Sequence, residues 1–411
     1  MKHDLDARLA EHGLDALVVV GPGGHNPALV YLTGGPAHLT NAWLVKRVGQ
    51  APVLYHWPME RDEAARTGLS TRSLAPFSLR RFLPAAEGDA FRAQVLQVLA
   101  LLDDMGLHRG TIGVTGRVEL GPWLSLWQAV QQARPDLRVE GRRAHQVLSA
   151  ARVTKDPDEV ARIRRMGALT VEVVGRVAER LQSLRRGPDD LVYDAAGEAV
   201  TIGQVKGWIR RWVAELGGEL PLAVIFAQGY DAGVPHSVGD DAAALRVGVP
   251  IVFDIFPQEA GGGYFYDFTR TWSLGYATDE VQALHAQVLE AYDAALDAVR
   301  AGQPAAAPFE RACDVLEGYG HPTSRTQPGT QTGFVHSLGH GLGLDIHEEP
   351  RLAQGQTRPL EPGMVVTVEP GLYYPERAIG IRVEDTVYLG PDGHPQVLAA
   401  YPTDLVLPLR G

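Results

Sequence analysis

The sequence predicts two domains of mixed structure: an α/β layer domain over residues 1–152 and an α+β domain over 153–411. Three observations carry this. A chain of 411 residues is too long for one ordinary core, and at 45% hydrophobic it has enough apolar content to fill two. Its first ~150 residues alternate strand-like and helical runs, the mark of an α/β layer fold. Its remainder contains two similar halves, each reading helix, helix, then a β-hairpin that carries two acids.

In chain order, DALVVVG (15–21), LVYLTG (29–34), APVLYHW (51–57) and TIGVTG (111–116) are predicted as strands. FRAQVLQVLALLDDMG (91–106) has apolar residues at helical spacing and stops at Gly106. The turn GPGGHNP (21–27) matches neither a dinucleotide fingerprint nor a P-loop and is expected to be structural. A boundary falls near 150–156. Asp156 caps a helix, Pro157 suits its first position and Glu159 completes a capping box, before Val160, Ile163, Met166, Val171 and Val174 follow at helical spacing. The next half opens with the helix TDEVQALHAQVLEAYDAALDAVRAG (278–302) and a second helix around 307–318.

A net charge of −11 argues against nucleic acid or an anionic membrane as partner, since each requires a basic face. The single cysteine, Cys313, excludes an intrachain disulfide, fits a reducing cytoplasm and sits in a helical run as a small core residue. The start MKHDLDARLAEHG is charged, and no apolar run approaches the ~20 residues a membrane span needs, so neither signal peptide nor anchor is expected.

The chemistry lies in four later segments. Asp254, Asp267, Glu369 and Glu384 sit in apolar strand-like runs where isolated carboxylates are costly to bury, which points to neutralising cations. In VPIVFDIFP and GYFYDFTRTWSL, separated by Gly261–Gly263, strand alternation puts Asp267, Thr269 and Thr271 on one face. With Asp254 turned to that side the carboxylates converge, and Thr269 is placed to hydrogen-bond one that holds a metal. In IGIRVEDTVYL, Arg382 and Glu384 share a face, Arg382 pairs with a clustered carboxylate, and Asp385 points the other way. HSLGHGLGLDIHEEP holds His336, His340 and His347, with glycines that let backbone pack closely around His340. His236 follows a proline just before the first acidic hairpin.

Taken in order, PH, D…YDFTRT, HSLGHGLG…HEEP, VEPGLY and GIRVEDTV make residues 155–405 resemble the pita-bread-fold metallopeptidases, the family of methionine aminopeptidase, aminopeptidase P and prolidase. The resemblance implies a pita-bread catalytic domain with Asp254, Asp267, His340, Glu369 and Glu384 as ligands of two divalent metal ions, Asp267 and Glu384 bridging. Four carboxylates balance two divalent charges, and oxygen-rich ligation with one imidazole suits Mn²⁺ or Co²⁺ at least as well as Zn²⁺. It also implies that Glu369 shuttles a proton, that His236 or His347 stabilises an oxyanion, and that His336, Tyr373 and Arg382 bind substrate. The first domain resembles the non-catalytic domain of the proline-specific branch and of creatinase. Phe256 stands where the family usually has glycine, the loop between Asp254 and Asp267 is about two residues longer than usual, and Asp231 lies near the usual asparagine position. The expectation is a cytoplasmic, homodimeric Xaa-Pro dipeptidase acting on small proline peptides. Aminopeptidase P, a creatinase-like hydrolase and a non-catalytic pita-bread binding module are the alternatives.

Overall fold

The run Ala16–Gly21 is buried along its whole length and lies inside a six-stranded sheet, as an apolar run without alternation demands. The computed structural model describes residues 4–410. Across this sheet the strands run Ser70–Ser73, Val53–His56, Ala42–Arg47, Ala16–Gly21, Gly110–Gly116 and Leu137–Glu140. Ala16–Gly21 is antiparallel to Ala42–Arg47 and parallel to Gly110–Gly116. The helix Ala90–Asp104 is capped by Asp89, whose side chain accepts from the Arg92 N–H, and it packs Val98, Leu101 and Leu102 into the core under the sheet.

One predicted strand is corrected. In place of a strand at 29–34, residues 29–33 belong to the helix Pro27–Thr33, buried from Ala28 onward and ended by Gly34 in the left-handed region at φ 79°. Pro27 at its first turn and Gly34 after its end are helix punctuation, which decides a short apolar run whose burial alone cannot. A strand absent from the sequence reading, Ala42–Arg47, takes the neighbouring place in the sheet.

The chain separates into two compact units: residues 1–152 with 261–263, and residues 153–260 with 264–411. The second begins with the helix Pro157–Gln182, whose capping box pairs Asp156 and Glu159 and whose inner face buries Val160, Ile163, Met166 and Val174. Helices Asp279–Ala298 and Ala307–Gly318 enclose a core with Val288, Tyr292, Phe309, Leu316, Val366 and Ile381. Cys313 is buried there, and desolvation pushes its thiol up to about 12, so it is inert as a nucleophile.

Two sheets frame the site. One runs Ile225–Gln228, Pro250–Ile255, Phe268–Leu274 and Val406–Leu407; the other runs Glu348–Leu352, Gly339–Gly341, Val365–Val368, Asp385–Leu389 and Pro395–Val397. A two-stranded ribbon, Gly371–Tyr374 with Ile379–Arg382, extends beside them. The sheets meet at a bridge between Thr269 and Glu384, where Glu384 N donates to Thr269 O at 3.1 Å. Among the described residues, no helix is long and apolar enough to cross a membrane.

Candidate metal centre

Strand register explains why the acids converge. Asp254 lies opposite Ile225 on one side and Thr269 on the other, so the three side chains share a face. Asp267 precedes Thr269 by two residues and joins that face. Glu384 arrives through the Thr269 bridge, and the Thr269 hydroxyl donates to Glu384 Oε2 at 2.6 Å. Glu369 follows the strand Val365–Val368, beside Thr367, whose hydroxyl donates to Glu369 Oε1 at 3.2 Å and accepts from the His340 N–H at 3.1 Å. A Cβ on Gly339 would stand 2.1 Å from the Thr367 carbonyl, so only glycine admits this close approach of the histidine strand.

Ligand-type atoms of Asp267, His340 and Glu384 lie within 4.8 Å of one another, and all three residues are buried. His340 Nε2 is 3.6 Å from Asp267 Oδ2 and 3.4 Å from Glu369 Oε1. His340 Nδ1 lies 3.0 Å from the Gly341 carbonyl, which can only accept, so the proton sits on Nδ1 and Nε2 presents its lone pair to the acids. These residues and Asp254 line a cavity of about 510 Å³ together with His236, His336, His347, Arg351 and Arg382. An apolar wall of Leu222, Ile225, Val238, Phe256 and Ile346 completes it.

The charge state follows from burial. Desolvation first, then the fields of Asp254 and Glu369, raise Asp267 well above the carboxylate range. Glu384 rises likewise, through desolvation and then Asp267, Glu369 and Asp254. Desolvation pushes Glu369 up to about 8, against a lowering by Arg382. His340 is driven down to about 3 by desolvation and the neighbouring His347, whose ring centroid lies 4.4 Å away, so its imidazole is neutral. Asp254 Oδ1 and Glu384 Oε1 are buried with no hydrogen-bond partner among the described residues. Like-charged acids with orphaned oxygens around a neutral imidazole form a donor set that fits divalent cations.

The other predicted residues divide into two groups. His336, Tyr373 and Arg382 form a chain: Arg382 Nη1 donates to Tyr373 Oη at 2.8 Å, Tyr373 donates to His336 Nε2 at 2.8 Å, and His336 Nδ1 donates to the Ser337 carbonyl at 2.6 Å. Arg382 Nη2 then holds Asp254 Oδ2 at 2.6 Å, so the chain orients an acid of the cluster. Tyr373 is fully buried and acts through these partners. His236 and His347 are instead exposed at the cavity wall, and desolvation followed by Arg351 and His236 lowers His347 and favours its neutral form. Asp385 faces away and is buried, held by Arg270 at 3.0 Å and by the Tyr292 hydroxyl at 2.8 Å.

Two further residues line the cavity, Arg351, beside the HEEP motif, and Phe256, at the position of the family's usual glycine. Arg351 follows HEEP and presents an exposed guanidinium at the wall that carries His347. Phe256 follows Asp254 by two residues, which on a strand puts it on the same face.

Residues 161–391 match Metallopeptidase family M24. The chain is 34% identical over 250 residues to the probable dipeptidase PepE of Mycobacterium tuberculosis, a match covering 61% of this chain and 60% of that protein. Against the Xaa-Pro dipeptidase of Pyrococcus furiosus it is 34% identical over 204 residues, 48% of this chain and 55% of the relative. The match thus spans well under two thirds of either relative. The crystal structure of dipeptidase PepE from Mycobacterium ulcerans superposes with TM-score 0.73 at 28% identity, covering 98% of this chain and 96% of that one. The prolidase from Pyrococcus horikoshii superposes with TM-score 0.73 at 21% identity, covering 98% of each chain, a likeness of fold.

Proposed function

The chain belongs to metallopeptidase family M24, with a pita-bread second unit, and on that premise we propose that it is a cytoplasmic, homodimeric Xaa-Pro dipeptidase. Residues 153–411 carry the chemistry in this reading, and 1–152 form a non-catalytic domain. Asp254, Asp267, His340, Glu369 and Glu384 would hold two divalent cations, Mn²⁺ being the choice that fits a carboxylate-rich set with one imidazole. When bound, such ions supply Lewis acidity and an activated water at neutral pH.

The chain's own groups do the rest. Glu369, lining the cavity beside the other acids, takes a proton from the attacking water and returns it to the departing proline nitrogen. His236 and His347 donate hydrogen bonds to the peptide oxygen as charge develops on it. The Arg382–Tyr373–His336 chain keeps Asp254 in register, and the Arg382 guanidinium is engaged by Asp254 and Tyr373. The free carboxylate of a dipeptide is therefore assigned to Arg351, the exposed cation on the His347 side. The apolar wall with Phe256 takes the Xaa side chain.

One observation carries the reading: four carboxylates and a neutral imidazole, two of the acid oxygens orphaned, meet in one 510 Å³ cavity that has a cation at its rim. Dipeptidase names recur among the relatives, which favours dipeptides over longer peptides. Protein reconstituted with Mn²⁺ is expected to cleave Xaa-Pro dipeptides with higher kcat/KM than the same peptides extended by one residue. Equal or better cleavage of the tripeptides would select aminopeptidase P, cleavage of neither would count against the Xaa-Pro peptidase reading, and activity indifferent to chelators would remove its dependence on metal.

A further inference from the structure

Glu348 follows His347 directly and belongs to neither the acid cluster nor the proposed donors, yet its carboxylate organises the turn on which His347 sits. Its Oε1 accepts from the Leu344 N–H at 2.8 Å and from the Asp345 N–H at 3.1 Å. Its Oε2 faces Lys155 Nζ at 3.1 Å, and the two side chains are only 7% and 2% exposed. A Cβ on Gly343 would lie 2.6 Å from Glu348 Oε1, so glycine is what lets the turn wrap the carboxylate. The turn is tied down at its start, where Gly343 N donates to Asp345 O at 3.0 Å and Gly343 O accepts from the Phe265 N–H at 2.8 Å. Ile346 and His347, between these anchors, both line the cavity.

Lys155 is fixed independently of the turn. Its backbone N–H donates to the Gly363 carbonyl at 2.7 Å, just ahead of the helix Pro157–Gln182. The ammonium thus holds Glu348 against the two amides from a firm base.

We propose that Lys155 is a positioning residue for His347, acting through the Glu348 carboxylate that closes the 343–348 turn. A buried charge pair of this kind is poorly explained as a stability device, because desolvation offsets most of its attraction; its benefit is a single geometry for the neighbouring imidazole. The proposal rests on the peptidase reading for its kinetic consequence, whereas its structural consequence stands without it.

The test compares the full-length Mn²⁺-loaded protein with Lys155→Met, Lys155→Arg and Glu348→Gln. A displaced donor costs ~10–10²-fold in rate, so kcat of Lys155→Met should fall in that range with KM within a few-fold and bound metal unchanged. Lys155→Arg, which restores a cation, should recover most of the loss. Hydrogen exchange read by mass spectrometry should show faster exchange at Leu344 and Asp345 in Lys155→Met, with the rest of the chain protected as in wild type. Should Lys155→Met not fold, Glu348→Gln, of the same shape, is expected to show the same kcat loss and local exchange in smaller measure. Unchanged kcat with unchanged exchange would overturn the proposal, and so would a global loss of protection with normal turnover per folded molecule. A wild-type protein inactive on every Xaa-Pro peptide would instead count against the peptidase reading, leaving the exchange result to decide the role of Lys155.

Discussion

Burying Asp267, Glu369 and Glu384 side by side sets the protonation of the site before any cation arrives. All three titrate above the carboxylate range, desolvation being the first cause in each, and Glu369 reaches about 8. An acid raised in the folded chain holds a proton that the unfolded chain has already lost. Its contribution is full below the unfolded value near 4.5 and is lost as pH rises through about 8. Metal-free protein should therefore lose stability between about pH 4.5 and 8, while cation-loaded protein should not, because the ions neutralise the ionised acids. Thermal melts with chelator and with Mn²⁺ at steps across this window check it: the Tm gain from metal should widen with pH, and a constant gain would contradict neutralisation by bound cations. At this scale the sequence is informative wherever residue type and local spacing coincide. Acids in apolar runs and a histidine among glycines point to the cavity, and all of them line it. The pairing of Lys155 with Glu348 is invisible to such reading because the two stand 193 positions apart, although Glu348 lies within the HEEP motif. Arg351 differs: it adjoins the HEEP motif, and only the fold brings it to the cavity wall.

Alternation along strands is the device that turns separate motifs into one site, and Arg270 shows what it does with the opposite face. While Thr269 and Thr271 point toward the acids, Arg270 between them points behind the sheet and is 2% exposed. Its guanidinium donates to the carbonyls of Thr269 at 2.9 Å, Glu384 at 2.8 Å, Tyr401 at 2.8 Å and Pro402 at 2.9 Å, and to Asp385 Oδ1 at 3.0 Å. It therefore stitches together the two strands that deliver Thr269 and Glu384. Arg270→Leu alone leaves Asp385 buried with only the Tyr292 hydroxyl, and a cost of roughly 3–5 kcal/mol is expected for breaking such a pair. Adding Asp385→Leu should recover part of that cost. Urea denaturation of the two single variants and the double variant measures the coupling, and strict additivity would show that the pair does not act as a unit. Sequence patterning places Asp385 on the face opposite Glu384, but not its partner, since Arg270 comes from the other hairpin. Patterning fails outright at 29–34, where a short buried run satisfies strand and helix alike and only Pro27 and Gly34 separate them. The capped helix at 157–182 is legible because its start signal is chemical as well as periodic: Asp156 and Glu159 bond each other's backbone across the first turn.

For the whole molecule, the M24 match over residues 161–391 lies in the second unit apart from residues 261–263, which leaves the role of residues 1–152 to be argued from their surface. On the helix Leu120–Ala133, Leu120 and Leu124 are one turn apart and 78% and 54% exposed, with Val118 beside them at 39%. Leucines at i and i+4 present one apolar stripe, which a protein of net charge −11 would keep in water only at a cost unless something covers it. A second copy of the chain is the occupant that fits the proposed homodimer, with the first domain of one subunit bordering the other's site and limiting substrate length. Light scattering at micromolar concentration should then give twice the 44.4 kDa chain mass. Leu120→Glu with Leu124→Glu should shift it toward the single-chain mass, because carboxylates cannot be buried against apolar surface without a partner. The same double variant carries the functional consequence. Its metal content should be unchanged, since both positions lie outside the unit that holds the acids. If assembly limits substrate length, its preference for Xaa-Pro dipeptides over Xaa-Pro-Yaa tripeptides should weaken as the dimer dissociates. A monomeric variant that keeps the full preference would place the length limit within the second unit, at Arg351, and a wild-type monomer with that preference would remove assembly from the account of specificity.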